Sequence, residues 1–246
     1  MKLNFLGTRG NIEARTDKHH NHSAVKVSYY DTEIIIDCGE DWLDDVHRWD
    51  VDAIILTHAH PDHAFGLRDG SPCPVYATED TWENMDNFKI EEKMWIKERE
   101  PFLIPKGSDH HLKLEAFPVL HSTRAPAVGY RVKAGSAEIF YVPDVAWIKD
   151  REDAMTGIDI YIGDGATLKK SMIRKPGDTI IGHVPIQTQL TWCQKTGVRR
   201  AIFTHLGSQI VEGDQEEIMA KIRSMADERN IEEVSIAEDK MSIVIK

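Results

Sequence analysis

Short apolar runs rich in β-branched residues recur along the chain, separated by polar, turn-forming clusters. Their length and alternation predict strands at Leu3–Leu6, Ala24–Tyr30, Glu33–Asp37, Val51–Leu56, Val128–Val132, Glu138–Val142, Asp159–Ile162, Ala201–Thr204, Val234–Ala237 and Met241–Ile245. Helical spacing falls between them. Trp42, Leu43, Val46 and Trp49 predict a helix over Asp41–Trp49 with Asp41 as its cap. Gln187–Thr196 begins after Pro185 and stops at Gly197, the usual asymmetry of proline near a helix start and glycine past its end. Glu216–Arg229 carries Ile218, Ile222 and Met225 on one side, and the chain is expected to finish in a hairpin turning at Glu238–Lys240. Strands come in runs at the front and alternate with helices towards the back. That order suits two mixed sheets packed face to face, with helices outside. The segment Thr78–Glu100 holds eight acidic and four basic residues around Trp82, Met85 and Phe88. It reads as one or two charged surface helices, with a lid over a site as the second reading.

Composition narrows the class. A chain of 246 residues can bury a full core, and with no Pro/Gly/Ser-rich linker or repeat it is expected to form one domain over 1–246. The opening MKLNFLG reads as a strand and not as a secretory signal, and no apolar stretch approaches the roughly 20 residues that span a bilayer. Cys38, Cys73 and Cys193 lie far apart and form no CxxC, which argues against a disulfide framework and fits a reducing cytoplasm. The net charge of −11 disfavours an extended nucleic-acid footprint, although a local basic patch can still meet a phosphodiester.

The chemistry concentrates in Leu56–His63, LTHAHPDH. Pro61 prevents the strand from running on, so His58, His60, Asp62 and His63 follow a strand end, where packing gives imidazoles no reason to gather. A metal ion does. Four donors are too many for one catalytic ion that must keep an open position, so two adjacent divalent ions are expected, with further ligands from elsewhere. His121, Asp144 and His205 each follow a predicted strand and complete such a set. The nitrogen and oxygen donors suit zinc first, with manganese and iron compatible.

His58–His63 matches the H-x-H-x-D-H signature, and with Asp37, His121, Asp144 and His205 in order the chain resembles the metallo-β-lactamase superfamily. The resemblance implies an α/β four-layer αββα sandwich. It implies His58, His60 and His121 on one ion, Asp62, His63 and His205 on the other, and Asp144 bridging. Asp37 is expected to orient a ligand imidazole or loop groups instead of binding metal. Thr57 and Thr204 are candidates to hold the ligand loops through their hydroxyls.

Phe5–Thr8, Asp37–Glu40, His121 followed by Gly129–Val132, Ala166–Thr167, Gly182–His183 and Phe203–His205 are similar to landmarks of ribonuclease Z and its small phosphodiesterase relatives. Two departures stand out. Where those enzymes read His-Glu-Ala-Thr, this chain reads Asp164-Gly165-Ala166-Thr167, so Asp164 is the candidate to replace the glutamate. The long tRNA-binding arm also has no counterpart, so tRNA 3′-end processing is not expected. The resemblance implies a dinuclear hydrolase acting on a small cyclic diester, a nucleotide or an RNA end. Its nucleophile would be a hydroxide shared by the ions. Asp62 is then the proton acceptor and His183 the general acid, with Asp164 setting the charge of His183. His22, in the basic strip Arg15–His22, and Arg124 are candidates to hold phosphate oxygens. An acyl hydrolase, a lactonase or thioesterase, is the alternative, and a non-catalytic metal-binding protein a weaker third. Dimers are common among such relatives, but no residue here indicates an interface.

Overall fold

Strands buried on both faces need apolar side chains at every position, and the isoleucine-rich runs supply them. The computed structural model describes residues 1–105, 109–175, 177 and 179–246. The first sheet contains β1 (Lys2–Gly7), β2 (Ala24–Tyr29), β3 (Thr32–Ile36), β4 (Ala53–Ile55), β5 (Val75–Ala77) and β6 (Lys93–Trp95), in that order, with β15 (Ser242–Val244) beside β1. The second contains β7 (Phe102–Ile104), β8 (Leu112–Leu120), β9 (Ala127–Ala134), β10 (Ala137–Tyr141), β11 (Trp147–Ile148), β12 (Ile160–Asp164), β13 (Arg200–Thr204) and β14 (Glu233–Ile236). Its order is β11-β8-β9-β10-β12-β13-β14, and β7 shares the outer edge of β8. From β3 to β6, and from β10 through β12 and β13 to β14, neighbours run parallel.

Side chains alternate across these strands and so feed three apolar layers. Ile34 and Ile36 of β3, with Ile139 and Tyr141 of β10 and Ile160 and Ile162 of β12, form the core between the sheets. Ile35 of β3 and Ile54 of β4 face the other way, onto Val46, Leu67, Trp82 and Met85. Phe140, Tyr161 and Phe203 face outward from the second sheet onto Leu190 and Trp192 of α4 (Ile186–Thr196) and Ile218 and Ile222 of α6 (Gln215–Asp227). Burying a side chain of this kind is worth about 1.5–3 kcal/mol. The layers reproduce the αββα sandwich that the resemblance implied. Gly197 ends α4 at φ 76°, and Asp214 caps α6 by accepting from Glu217 N at 2.9 Å.

Three local expectations change. Asp41–Trp49 is not one helix but two short 3₁₀ turns, Glu40–Trp42 and Val46–Arg48. The Asp41 carboxylate is not a cap. It accepts from Arg9 (2.5 Å), Arg15 (2.9 Å) and the backbone of His22 (2.9 Å). Thr78–Glu100 is one short helix, Glu79–Glu83, followed by the edge strand β6, and it buries Trp82 and Met85 without lining the site described below. The end of the chain turns at Glu238–Met241 but forms no hairpin, because β14 pairs with β13 in one sheet and β15 with β1 in the other. Among the described residues no helix is long and apolar enough to cross a membrane.

The basic strip is likewise absorbed into structure. Lys18 pairs with Glu238 at 2.8 Å, Asp239 accepts from the backbone of His20 and Asn21, and Arg9, 1% exposed, depends on Asp41. Asp41→Ala strands that buried guanidinium, and a broken buried pair costs about 3–5 kcal/mol. Urea denaturation should register a loss near the lower figure, since the Asp41 side chain keeps 13% of its exposure. A loss below half that would mean the Arg9 anchor is replaceable.

Candidate metal centre

Strand ends of both sheets converge at one edge. Asp37 follows β3, His58 follows β4, His121 follows β8, Asp144 follows β10, Asp164 closes β12 and His205 follows β13. The carboxyl ends of parallel strands are the usual place for a site in such sheets. After Thr57 the chain leaves β4, and Pro61 opens the one-turn helix α1 (Pro61–Ala64), which turns Asp62 and His63 inward. Asp37 at φ 65° and His205 at φ 53° hold left-handed backbone that non-glycine residues rarely adopt, a strain that clusters at functional sites. Close packing fixes the surroundings. A Cβ on Gly39 would lie 2.3 Å from the Asp62 carbonyl oxygen, and one on Gly10 would lie 3.0 Å from the His205 ring.

Three donor sets form, each with its ligand atoms within 4.8 Å of one another: His58, His60, His121 and Asp144; Asp62, His63, His205 and Asp144; and Asp164, His183, His205 and Asp144. In the first, His60 Nδ1 lies 3.0 Å from His58 Nε2 and 3.2 Å from His121 Nε2, with Asp144 Oδ2 3.3 Å from His58. In the second, His63 Nε2 lies 2.8 Å from Asp144 Oδ2, His205 Nε2 lies 2.9 Å from Asp62 Oδ2, and His205 Nδ1 lies 3.2 Å from Asp144 Oδ1. Asp144 belongs to all three. Three ring nitrogens converging at hydrogen-bond distance cannot all be satisfied by shared protons. His63 Nε2, Asp144 Oδ1 and His205 Nδ1 are also buried without a hydrogen bond of acceptable geometry. Convergent imidazole and carboxylate donors with orphaned atoms fit divalent cations.

The supporting contacts are well defined. Asp37 accepts from Thr57 N and Thr57 Oγ1, both at 2.8 Å, and meets His63 Nδ1 at 2.9 Å, which leaves His63 Nε2 for the site. Thr57 Oγ1 also lies 3.0 Å from His58 Nδ1. The Thr204 hydroxyl, by contrast, is buried without a partner. Asp164, the candidate to replace the missing glutamate, lies buried beside His183. Its Oδ2 lies 2.8 Å from His183 Nδ1 and accepts from Val145 N at 3.0 Å, while Oδ1 accepts from Ala166 N at 2.8 Å. Gln189, fully buried, clamps the Asp164 backbone from both sides, accepting from its N–H and donating to its carbonyl. Sequence reasoning missed Gln189, because a glutamine in an amphipathic helix looks like a surface residue. It also missed Arg9, whose signal was only its place in the turn after β1.

A cavity of about 660 Å³ opens onto the donors. His60, Asp62, His121, Asp144, His183 and His205 line its floor, and Ile12, Leu206, Lys170 and Met172 form its walls. Neither His22 nor Arg124 lines it. His22 is buried against Asp41, with Nδ1 3.1 Å from the carboxylate, and Arg124 is exposed on the loop beyond His121. The cavity lining therefore does not bring either phosphate-contact candidate to the donors.

Three comparisons bear on kinship. The sequence profile described as "Beta-lactamase superfamily domain" matches residues 32–206. The chain belongs to the β-lactamase superfamily. It is 32% identical over 113 residues to exodeoxyribonuclease WalJ of Streptococcus pneumoniae, covering 44% of this chain and 40% of that protein. Against ribonuclease Z of Methanopyrus kandleri it is 39% identical over 72 residues, 27% of this chain and 25% of that one. Both matches span less than half of those relatives. Zn²⁺-bound PqqB from Methylobacterium extorquens superposes with a TM-score of 0.73 over the full length of both chains at 17% identity, a likeness of fold.

Charge in this superfamily member is balanced internally. Burial disfavours the charged imidazoles of His183 and His205, but Asp164 and Asp144 outweigh it, raising His183 to about 11 and His205 to about 9. Burial instead prevails at His58 and His60, and the latter falls to about 4. Burial also opposes the Asp62 and Asp144 carboxylates, yet neighbouring imidazoles hold both well below the ordinary range. The raised pair contributes stability that is full below about pH 6.5 and lost as pH rises through about 9 to 11. The lowered imidazoles contribute stability lost as pH falls from about 6.5 towards 4. Chelator-treated protein should therefore show its highest melting temperature near pH 6.5, falling on both sides. A melting temperature that rises steadily from pH 6.5 to 10 would contradict this charge assignment.

Proposed function

We propose that the protein is a metal-dependent phosphodiesterase that cleaves a small cyclic diester, a nucleotide or a nucleic-acid end. The observation that carries this reading is the Asp164–His183 pair at 2.8 Å on the cavity floor, beside Asp144. An alkoxide leaving group needs a proton, and a thiolate does not, so a dedicated donor favours a phosphodiester over a thioester. The likeness to an exodeoxyribonuclease and to ribonuclease Z supports the same chemistry.

In this reading His58, His60 and His121 would hold one ion and Asp62, His63 and His205 the other, with Asp144 available to both. Zinc suits the donors and is the ion of the PqqB neighbour, while manganese and iron suit them chemically as well. Two such ions supply a nucleophile at neutral pH and neutralise charge on the phosphoryl oxygens. Asp37 keeps the His63 ring turned so that Nε2 faces inward. Asp62, on the cavity floor, would accept the proton released from the attacking water. His183 donates from Nε2 to the departing oxygen, since its Nδ1 is held by Asp164. The Asp164 carboxylate keeps the imidazole protonated and fixes its direction. The apolar walls at Ile12 and Leu206 favour the second reading, a lactone or other ester entering the same floor.

Metal-stripped protein reloaded with zinc, manganese or iron should hydrolyse bis(p-nitrophenyl) phosphate faster than p-nitrophenyl acetate or a lactone. Ester or lactone preference would move it to the acyl branch. His60→Ala should abolish hydrolysis and lower metal content. His183→Ala should retain metal yet slow diesters with alkyl leaving groups by about 10²–10⁴. Full activity of that variant on an alkyl diester would remove His183 as the acid.

A further inference from the structure

Beyond Thr167 the chain leaves the cavity in a narrow antiparallel excursion. Met172 N donates to His183 O at 3.1 Å, and Arg174 and Ile181 exchange two backbone hydrogen bonds of 2.9 Å. At its base Gly182 N donates to His121 O at 2.7 Å. The excursion is thus rooted on the residue assigned as the acid and on a residue of the first donor set. Between Leu168 and Ile181 the sequence carries Lys169, Lys170, Arg174 and Lys175 against a single carboxylate, in a chain of 41 acidic and 30 basic residues. All four cations are exposed. None forms an ion pair among the described residues, whereas the strip at Arg15 and Lys18 is neutralised by Asp41 and Glu238.

Placement gives this charge a direction. Lys170 and Met172 line the cavity wall, and Met172 is 45% exposed although apolar. Residues two apart on a ladder share one face and stand about 6.6 Å apart. Arg174 therefore continues outward on the face that Met172 presents to the cavity. The order outward along the excursion is cation, apolar side chain, cation, with Lys170 and Met172 lining the cavity and the exposed Arg174 beyond its lining. A single-stranded nucleic acid offers the complementary order, with charged phosphates linked past apolar base faces. A small cyclic diester would fill the floor and leave Arg174 and Lys175 unused.

We infer that the Lys169–Lys175 arm binds the phosphates next to the scissile one, so that the substrate is the end of a single-stranded nucleic acid. This rests on the phosphodiesterase reading and narrows its substrate class. The test uses the full chain and a 5′-fluorescein hexathymidylate, followed by fluorescence anisotropy at several salt concentrations. A methylphosphonate hexamer of the same sequence serves as the uncharged comparator. The wild type should bind the phosphodiester at least tenfold more tightly than the comparator. Arg174→Gln/Lys175→Gln should bind it at least fivefold more weakly, and the slope of log Kd against log salt should fall by about 0.7 for each phosphate contact removed. Equal binding of the two oligonucleotides overturns the arm, as does an unchanged slope in a variant whose circular dichroism matches the wild type. Hydrolysis of bis(p-nitrophenyl) phosphate by the same preparations separates the two claims. Turnover without oligonucleotide binding refutes only the arm, and selective binding without any diester turnover supports the arm while refuting the phosphodiesterase reading.

Discussion

A carboxylate buried as deeply as Asp144 must be met by positive charge or by hydrogen-bond donors, since an uncompensated buried charge costs several kcal/mol. That requirement organises one edge of the molecule. Imidazoles from the ends of β4, β8 and β13, and from α1, surround Asp144, and no local stretch of chain could supply them all. Without a cation, protons on His183 and His205 provide the compensation. In the proposed reading divalent ions would take over that compensation at His58, His60, His63, His121 and His205, and metal binding would then compete with protons. The site is therefore coupled to the fold in both states.

The sandwich provides the precision. Two sheets with three apolar layers hold the strand ends rigidly, and each ligand loop is fixed by a contact that carries no chemistry of its own. Asp37 and Thr57 fix the His58–His63 loop, Gln189 fixes Asp164, and the Arg9–Asp41 pair fixes the loop that packs against His205 through Gly10. Left-handed backbone at Asp37 and His205 is sustained by the same surroundings. Specificity is left to the walls, where Ile12, Leu206 and the basic excursion at Lys170 sit outside this frame.

Much of this was legible in the chain. Strand positions followed from β-branched runs, and the donors were visible because histidines and aspartates stood at successive strand ends, where packing could not explain them. The pairing of Asp164 with His183 could be anticipated from a motif displaced by one residue. What escaped was non-local. Whether the last two strands pair with each other depends on which sheet each joins, and Glu238–Lys240 looks the same either way. The apolar and aromatic spacing of Trp42, Val46 and Trp49 matched a helix, but Arg9, 32 residues from Asp41, had already claimed its cap. His22 and Arg124 were singled out for charge and chain position, and only the structure shows one buried beside Asp41 and the other exposed outside the cavity lining. Lys170 and Met172 had no motif to mark them.

In the proposed reading Asp144 joins two ion sites. Calorimetric titration of chelator-stripped protein with zinc tests it most directly, with the Asp144→Ala variant alongside. Two ions per chain are expected in the wild type, with a sharp loss of affinity at both sites in the variant. A wild type that binds a single ion, or a variant that binds two as tightly as the wild type, would contradict it.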